Sequence, residues 1–79
     1  MATTMKEYEW GQRARRFIKA ELKRSEVGYK DLVGRLNEHG LEETEASITG
    51  KLNRGTFSVA FFLAVLTVLG LPGVRLEDL

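Results

Sequence analysis

Between Ser58 and Gly70 the chain runs through eleven residues, Val59 to Leu69, of which only Thr67 is not apolar. As a helix this segment would extend roughly 17 Å against a bilayer core of about 30 Å, so it is too short to cross a membrane. Val59, Val65 and Val68 are β-branched and admit a strand, but the length, Ser58 as an N-cap and Gly70 as a C′ residue favour helix. A helix that is apolar on nearly every side belongs at the buried centre of a small α domain. The remaining chain must then supply amphipathic helices to cover it.

From Trp10 to Arg24 the apolar positions Trp10, Ala14, Phe17, Ile18 and Leu22 follow amphipathic helical spacing. That register puts Trp10 and Phe17 in the core and Gln12, Arg16, Lys19 and Lys23 on an outward stripe, flanked by Arg13, Arg15 and Arg24. After a short connection, Ser25 to Gly28, a second helix runs from Tyr29 to Glu38 with Leu32, Val33 and Leu36 inward, and Gly40 ends it in a C′ role. Thr44 offers the N-cap of a third helix, whose Ile48 and Leu52 form an i, i+4 apolar pair ending before Gly55. Pro72 enforces the stop of the fourth helix. Val74, Leu76 and Leu79 then close the core with one more turn. The expectation is an all-α fold, a compact four- to five-helix bundle.

At 79 residues there is room for one domain and one small core. Residues 1–9 read as a flexible N-terminal segment and residues 10–79 as a single domain. Met1 to Glu9 is polar and lacks the apolar stretch of a secretory signal, so a cytoplasmic location is the default expectation.

Familiar catalytic chemistry finds no foothold. His39 is the only histidine and cysteine is absent, so neither a three-ligand zinc site nor a Cys-His or Ser-His-Asp arrangement can be assembled from one chain. No cofactor or metal is expected, and no enzyme. His39, beside Gly40, reads as a helix-end residue bonded to the last carbonyls. Glu42, Glu43 and Glu45 read as a solvated turn whose charge favours the positive end of the third helix.

The order of a second helix, a glycine-containing turn, a short third helix and a capped apolar fourth resembles helix-turn-helix domains of the phage-repressor and Cro type. Val27-Gly28-Tyr29-Lys30-Asp31-Leu32-Val33 and Leu52-Asn53-Arg54-Gly55 carry that resemblance. It implies a lambda-repressor-like fold. Over nearly the full length, the run from Trp10 through Ala20-Glu21-Leu22-Lys23-Arg24, then Lys51-Leu52-Asn53-Arg54-Gly55-Thr56-Phe57-Ser58, Phe61-Phe62 and the closing Arg75-Leu76-Glu77-Asp78-Leu79, is similar to the small bacterial family called domain of unknown function 6471. That resemblance implies a helix-turn-helix-like bacterial protein and names no activity.

With Ile48 and Leu52 inward, the third helix turns Glu43, Ala46, Ser47, Gly50, Asn53 and Arg54 outward, with Thr49 and Lys51 on the flanks. Arg54 suits guanine and Asn53 adenine, while small residues allow close approach in a major groove. Gly50 in mid-helix costs about 1 kcal/mol relative to alanine and asks for a compensating contact. The sequence expectation is a non-catalytic, sequence-specific double-stranded DNA-binding regulator. Ser47, Thr49, Gly50, Lys51, Asn53 and Arg54 form its reading helix, and Tyr29, Lys30, Thr56 and Ser58 lie near phosphates. The alternative is a protein-interaction adaptor on the same scaffold, to which Ala46 and Gly50 offer a tight packing stripe. Phe61 and Phe62 point to different sides of the fourth helix, so one fills the core and the other suits a homodimer interface on that helix or the C-terminal tail.

The net charge of +1 conceals opposed blocks. Trp10 to Asn37 holds eight basic and three acidic residues, whereas Glu38 to Thr49 holds four acidic and no Lys or Arg. Nucleic acid would have to meet a local patch, and the acidic turn opposes it.

Overall fold

The computed structural model describes residues 6–79. Four α-helices and one short turn follow in order: α1 Glu7–Ser25, α2 Tyr29–Glu38, α3 Glu45–Arg54, α4 Val59–Val68 and the 3-10 helix η1 Leu76–Asp78. The described residues form no strand, so the fold is a small all-α bundle. None of its helices is long and apolar enough to cross a membrane.

Local chemistry sets most of the ends. Thr44 caps α3 by accepting from the Ser47 amide at 3.0 Å, and Ser58 caps α4 by accepting from Phe61 at the same distance. Three helices close with one device, an amide two or three residues past the helix reaching back five positions: Val27 to the Leu22 carbonyl, Leu41 to Leu36 and Leu71 to Leu66, each near 2.9 or 3.0 Å. Gly40 and Gly70 supply the left-handed residue in two of them, and Glu26, at φ 58°, supplies it in the first. The imidazole Nδ1 of His39 lies 3.1 Å from the Arg35 carbonyl, the helix-end role expected of it.

Ile18 and Leu22 of α1, Leu32 and Leu36 of α2, Ile48 and Leu52 of α3, and Phe61 and Val65 of α4 make one core, with Val27 closing it from the α1–α2 connection. Helix α2 packs on both α3 and α4, and α1 on α3. Arg35 adds a polar tie: Nη1 donates to the Val68 carbonyl at 3.0 Å, bringing positive charge to the negative end of α4.

Several expectations need correction. α1 starts at Glu7 rather than Trp10, so residues 7–9 are its first turn, while residues 1–5 of the segment expected to be flexible lie outside the described residues. Trp10 is 44% exposed, not core, with the Arg13 guanidinium 5.7 Å from its ring centroid. Trp10 lies about 100° around the helix from Gly11, the position that meets Gly55, so its ring falls off the packed side. Helix α4 is buried on one side only: Phe61 and Val65 are inaccessible, whereas Val59 is 73% and Leu63 54% exposed. Phe62 is half-buried, packed among Phe57 and Phe17 with ring centroids 6.2 and 6.3 Å away, rather than fully outward. Leu76 in η1 is exposed and adds nothing to the core.

Candidate nucleic-acid interface

The α3 helix has one inward and one outward face. Ile48 and Leu52 have no accessible surface, which fixes the rotation of the helix and turns Ala46, Thr49, Asn53 and Arg54 to solvent, with Gly50 half-buried among them. No other element covers this face at Gly50: the atoms nearest to an added Cβ there all belong to the Arg54 guanidinium, the closest at 3.0 Å. Gly50 therefore leaves room for Arg54 to fold back along its own helix. There Nε lies 3.4 Å from the Thr56 hydroxyl.

Other residues expected at the interface do structural work. Ser47 completes a reciprocal cap, its hydroxyl accepting from the Thr44 amide at 2.9 Å and donating to the Glu43 carboxylate at 2.6 Å. Lys51 is already paired: its ammonium meets the other Glu43 oxygen and lies 4.6 Å from the centroid of the Phe61 ring. Glu43 in turn is buried rather than solvated, its side chain only 6% accessible, and its amide donates to Asn37 at 3.1 Å. A carboxylate taken out of water must be paired, and Lys51 and Ser47 supply that pairing. The spacing of Glu43, Ser47 and Lys51, i, i+4 and i+8, carries the signal of this stripe in the sequence.

Ser58 is held by its cap on α4, and Thr56 is exposed beside Arg54. Tyr29 packs half-buried against the core. Lys30 is exposed beside a depression lined by residues of α2 and its N-cap Gly28, with no residue of α3 among them. Of the ten expected residues, the structure thus brings Thr49, Gly50, Asn53, Arg54 and Thr56 together on one accessible surface. Ser47, Lys51 and Ser58 are engaged elsewhere.

The sequence reading passed over the junction that adjoins this surface. The backbone of Gly11 in α1 rests on that of Gly55, the left-handed residue ending α3, and Gln12 Nε2 lies beside it. Gln12 also accepts from Arg15 Nε at 2.7 Å. Farther along α1, Arg13, Arg16 and Arg24 line a groove of ≈ 530 Å³ together with Asp78 and Leu79.

Comparison with curated proteins and with solved structures finds no match to this chain. The model of one family matches residues 10–74, most of the chain and all four helices from the second turn of α1 onward. The chain belongs to that family, described as a domain of unknown function, DUF6471.

Proposed function

We propose that the domain binds double-stranded DNA without catalysis, as a bacterial transcriptional regulator, reading sequence with Thr49, Asn53 and Arg54 of α3. One observation carries this: the α3 face opposite Ile48 and Leu52 is solvent-accessible, small at Ala46 and Gly50, and bears side chains suited to base edges. Pairing of Glu43 with Lys51 cancels one glutamate of the acidic turn and one cation of α3 together, which leaves Arg54 as the charged group on this face. Helix α2 packs on α3, a contact that the proposed helix-turn-helix arrangement requires. Fluorescence anisotropy on fragments of the host genome, titrated with salt, tests it. Binding that weakens with salt and loses sequence preference in Arg54→Ala is expected; no binding at low salt, or binding untouched by that substitution, overturns it.

The rival reading is a protein-interaction adaptor, and Val59 and Leu63, large apolar side chains exposed on one side of α4, favour it. A partner retained after nuclease treatment and released by Leu63→Lys would select the adaptor. DNA binding that survives the same substitution would select the regulator.

A further inference from the structure

The positive charge of this chain is concentrated on α1 and not on α3. Residues 10–25 carry six Arg and Lys against one carboxylate, Glu21. Glu21 is buried and takes Arg24 at 2.7 Å, and Arg15 is held by Gln12. Among the described residues, Arg16, Lys19 and Lys23 make no ion pair. At 100° per residue Gln12, Arg16, Lys19 and Lys23 fall within a sector of about 60°, so they form a straight row along the helix.

That row leads to the α3 surface. Its first member, Gln12, abuts Gly55, where a Cβ would lie 3.0 Å from Nε2, and Gly55 separates Arg54 from Thr56. The exposed glutamates Glu42 and Glu45 stand at the opposite end of α3, with Glu45 about 13 Å of helical rise from Arg54. The C-terminal end of α3 and the α1 row are therefore predominantly positive, with Glu9 and Asp78 at the edge of the row beside Arg16, and the acidic turn lies off it.

We propose that the row of Gln12, Arg16, Lys19 and Lys23 is a phosphate-contacting surface on which the backbone of a DNA duplex lies, continuous with Arg54 across the Gly11–Gly55 junction. This rests on the DNA-binding reading above and relocates its footprint to α1 and the C-terminal end of α3. The row spans roughly 17 Å, about five base-pair steps of 3.4 Å along the duplex axis. It contains no apolar side chain, so an acidic protein would find no core to bury there, whereas a phosphate backbone needs none.

The test measures binding of duplexes of about 20 base pairs, of several sequences, by anisotropy across a range of KCl, with folding checked by circular dichroism. Arg16→Gln/Lys19→Gln/Lys23→Gln is expected to weaken low-salt binding about tenfold or more on every sequence and to flatten the log–log salt slope by about 2.7, near 0.9 per contact. Arg75→Gln removes the same unit of charge outside the row and is expected to change affinity less than about twofold, against a slope loss near 0.9 for Arg16→Gln alone. A triple variant with an unchanged slope overturns the proposal even if Arg54→Ala still abolishes sequence preference. The converse result, a flattened slope with Arg54→Ala silent, keeps the α1 surface and overturns the α3 reading. A wild type that binds no duplex at low salt overturns both.

Discussion

The backbone of Gly11 in α1 lies directly against the carbonyl group of Gly55: a Cβ on Gly11 would sit 3.2 Å from the Gly55 carbonyl carbon and nearer still to its oxygen. Two glycines from separate helices thus permit a backbone-to-backbone contact that fixes where the start of α1 meets the end of α3. Gly55 is itself at φ 70°, where a side chain is disfavoured for a second reason.

Gly11→Ala is therefore expected to destabilise the domain by about 2 kcal/mol, because overpacking outweighs the gain of about 1 kcal/mol in helix propensity. Gly34→Ala is the matched control. It lies in α2 with nothing within 4 Å of the added methyl, so the propensity gain stands alone and stability rises by about 0.5–1 kcal/mol. Urea unfolding of the two variants checks the opposite signs.

The Glu43–Lys51 pair makes a second prediction, since it gives a residue expected at the DNA a partner within the fold. Lys51→Ala leaves a buried carboxylate without its cation and is expected to cost about 2 kcal/mol, with Glu43→Ala similar and the double variant less than their sum. A double-mutant cycle by urea unfolding, giving a coupling of about 1 kcal/mol or more, checks the pair. Were Lys51 a phosphate ligand, its loss would move DNA affinity and leave stability alone.

The outcome at these residues shows what was legible in the sequence. Thr44, Ser58, Gly40 and Gly70 act through hydrogen bonds or backbone angles within a few positions of themselves, so the helix ends could be read directly. Ile48 and Leu52 likewise settled which way α3 faces, and with it the exposure of Asn53 and Arg54. For Glu43 the i, i+4, i+8 spacing with Ser47 and Lys51 marks a stripe in the sequence but not its burial. Its burial depends on where Asn37, Ser47 and Lys51 come together around it, and composition alone made it one of three equivalent glutamates. Trp10 satisfied the α1 register, but periodicity does not say which edge of the apolar stripe the neighbouring elements cover. The Gly11–Gly55 contact joins positions 44 apart and leaves no local trace.

Glu26 gives a prediction of the opposite sign. It is the only described non-glycine residue at positive φ, at the place where Gly40 and Gly70 serve α2 and α4. Left-handed backbone costs an L-residue roughly 1–2 kcal/mol, and Glu26 is exposed with no side-chain hydrogen bond or ion pair to offset that cost. Glu26→Gly is expected to raise stability by about 1 kcal/mol, read as a higher midpoint in urea at unchanged slope. A fall in midpoint would mean that the greater unfolded-chain freedom of glycine outweighs relief of the φ.

The two sides of α4 differ more than its uniformly apolar sequence implies, and paired truncations measure the difference. Phe61 is 1% exposed, joins the core cluster and carries the Lys51 ammonium over its ring. Leu63, two residues on, is 54% exposed. Phe61→Ala removes a full buried ring and leaves a cavity, a loss of about 3–5 kcal/mol that is a large share of the stability of so small a domain. Leu63→Ala gives up only a half-solvated side chain while gaining slightly in helix propensity, so the change is expected to stay within about 0.5 kcal/mol. Thermal unfolding of the two variants at one protein concentration separates them. A loss at Leu63 comparable with that at Phe61 would mean that the exposed side of α4 is covered in solution, and repeating the measurement across a tenfold range of protein concentration would identify a second copy as the cover.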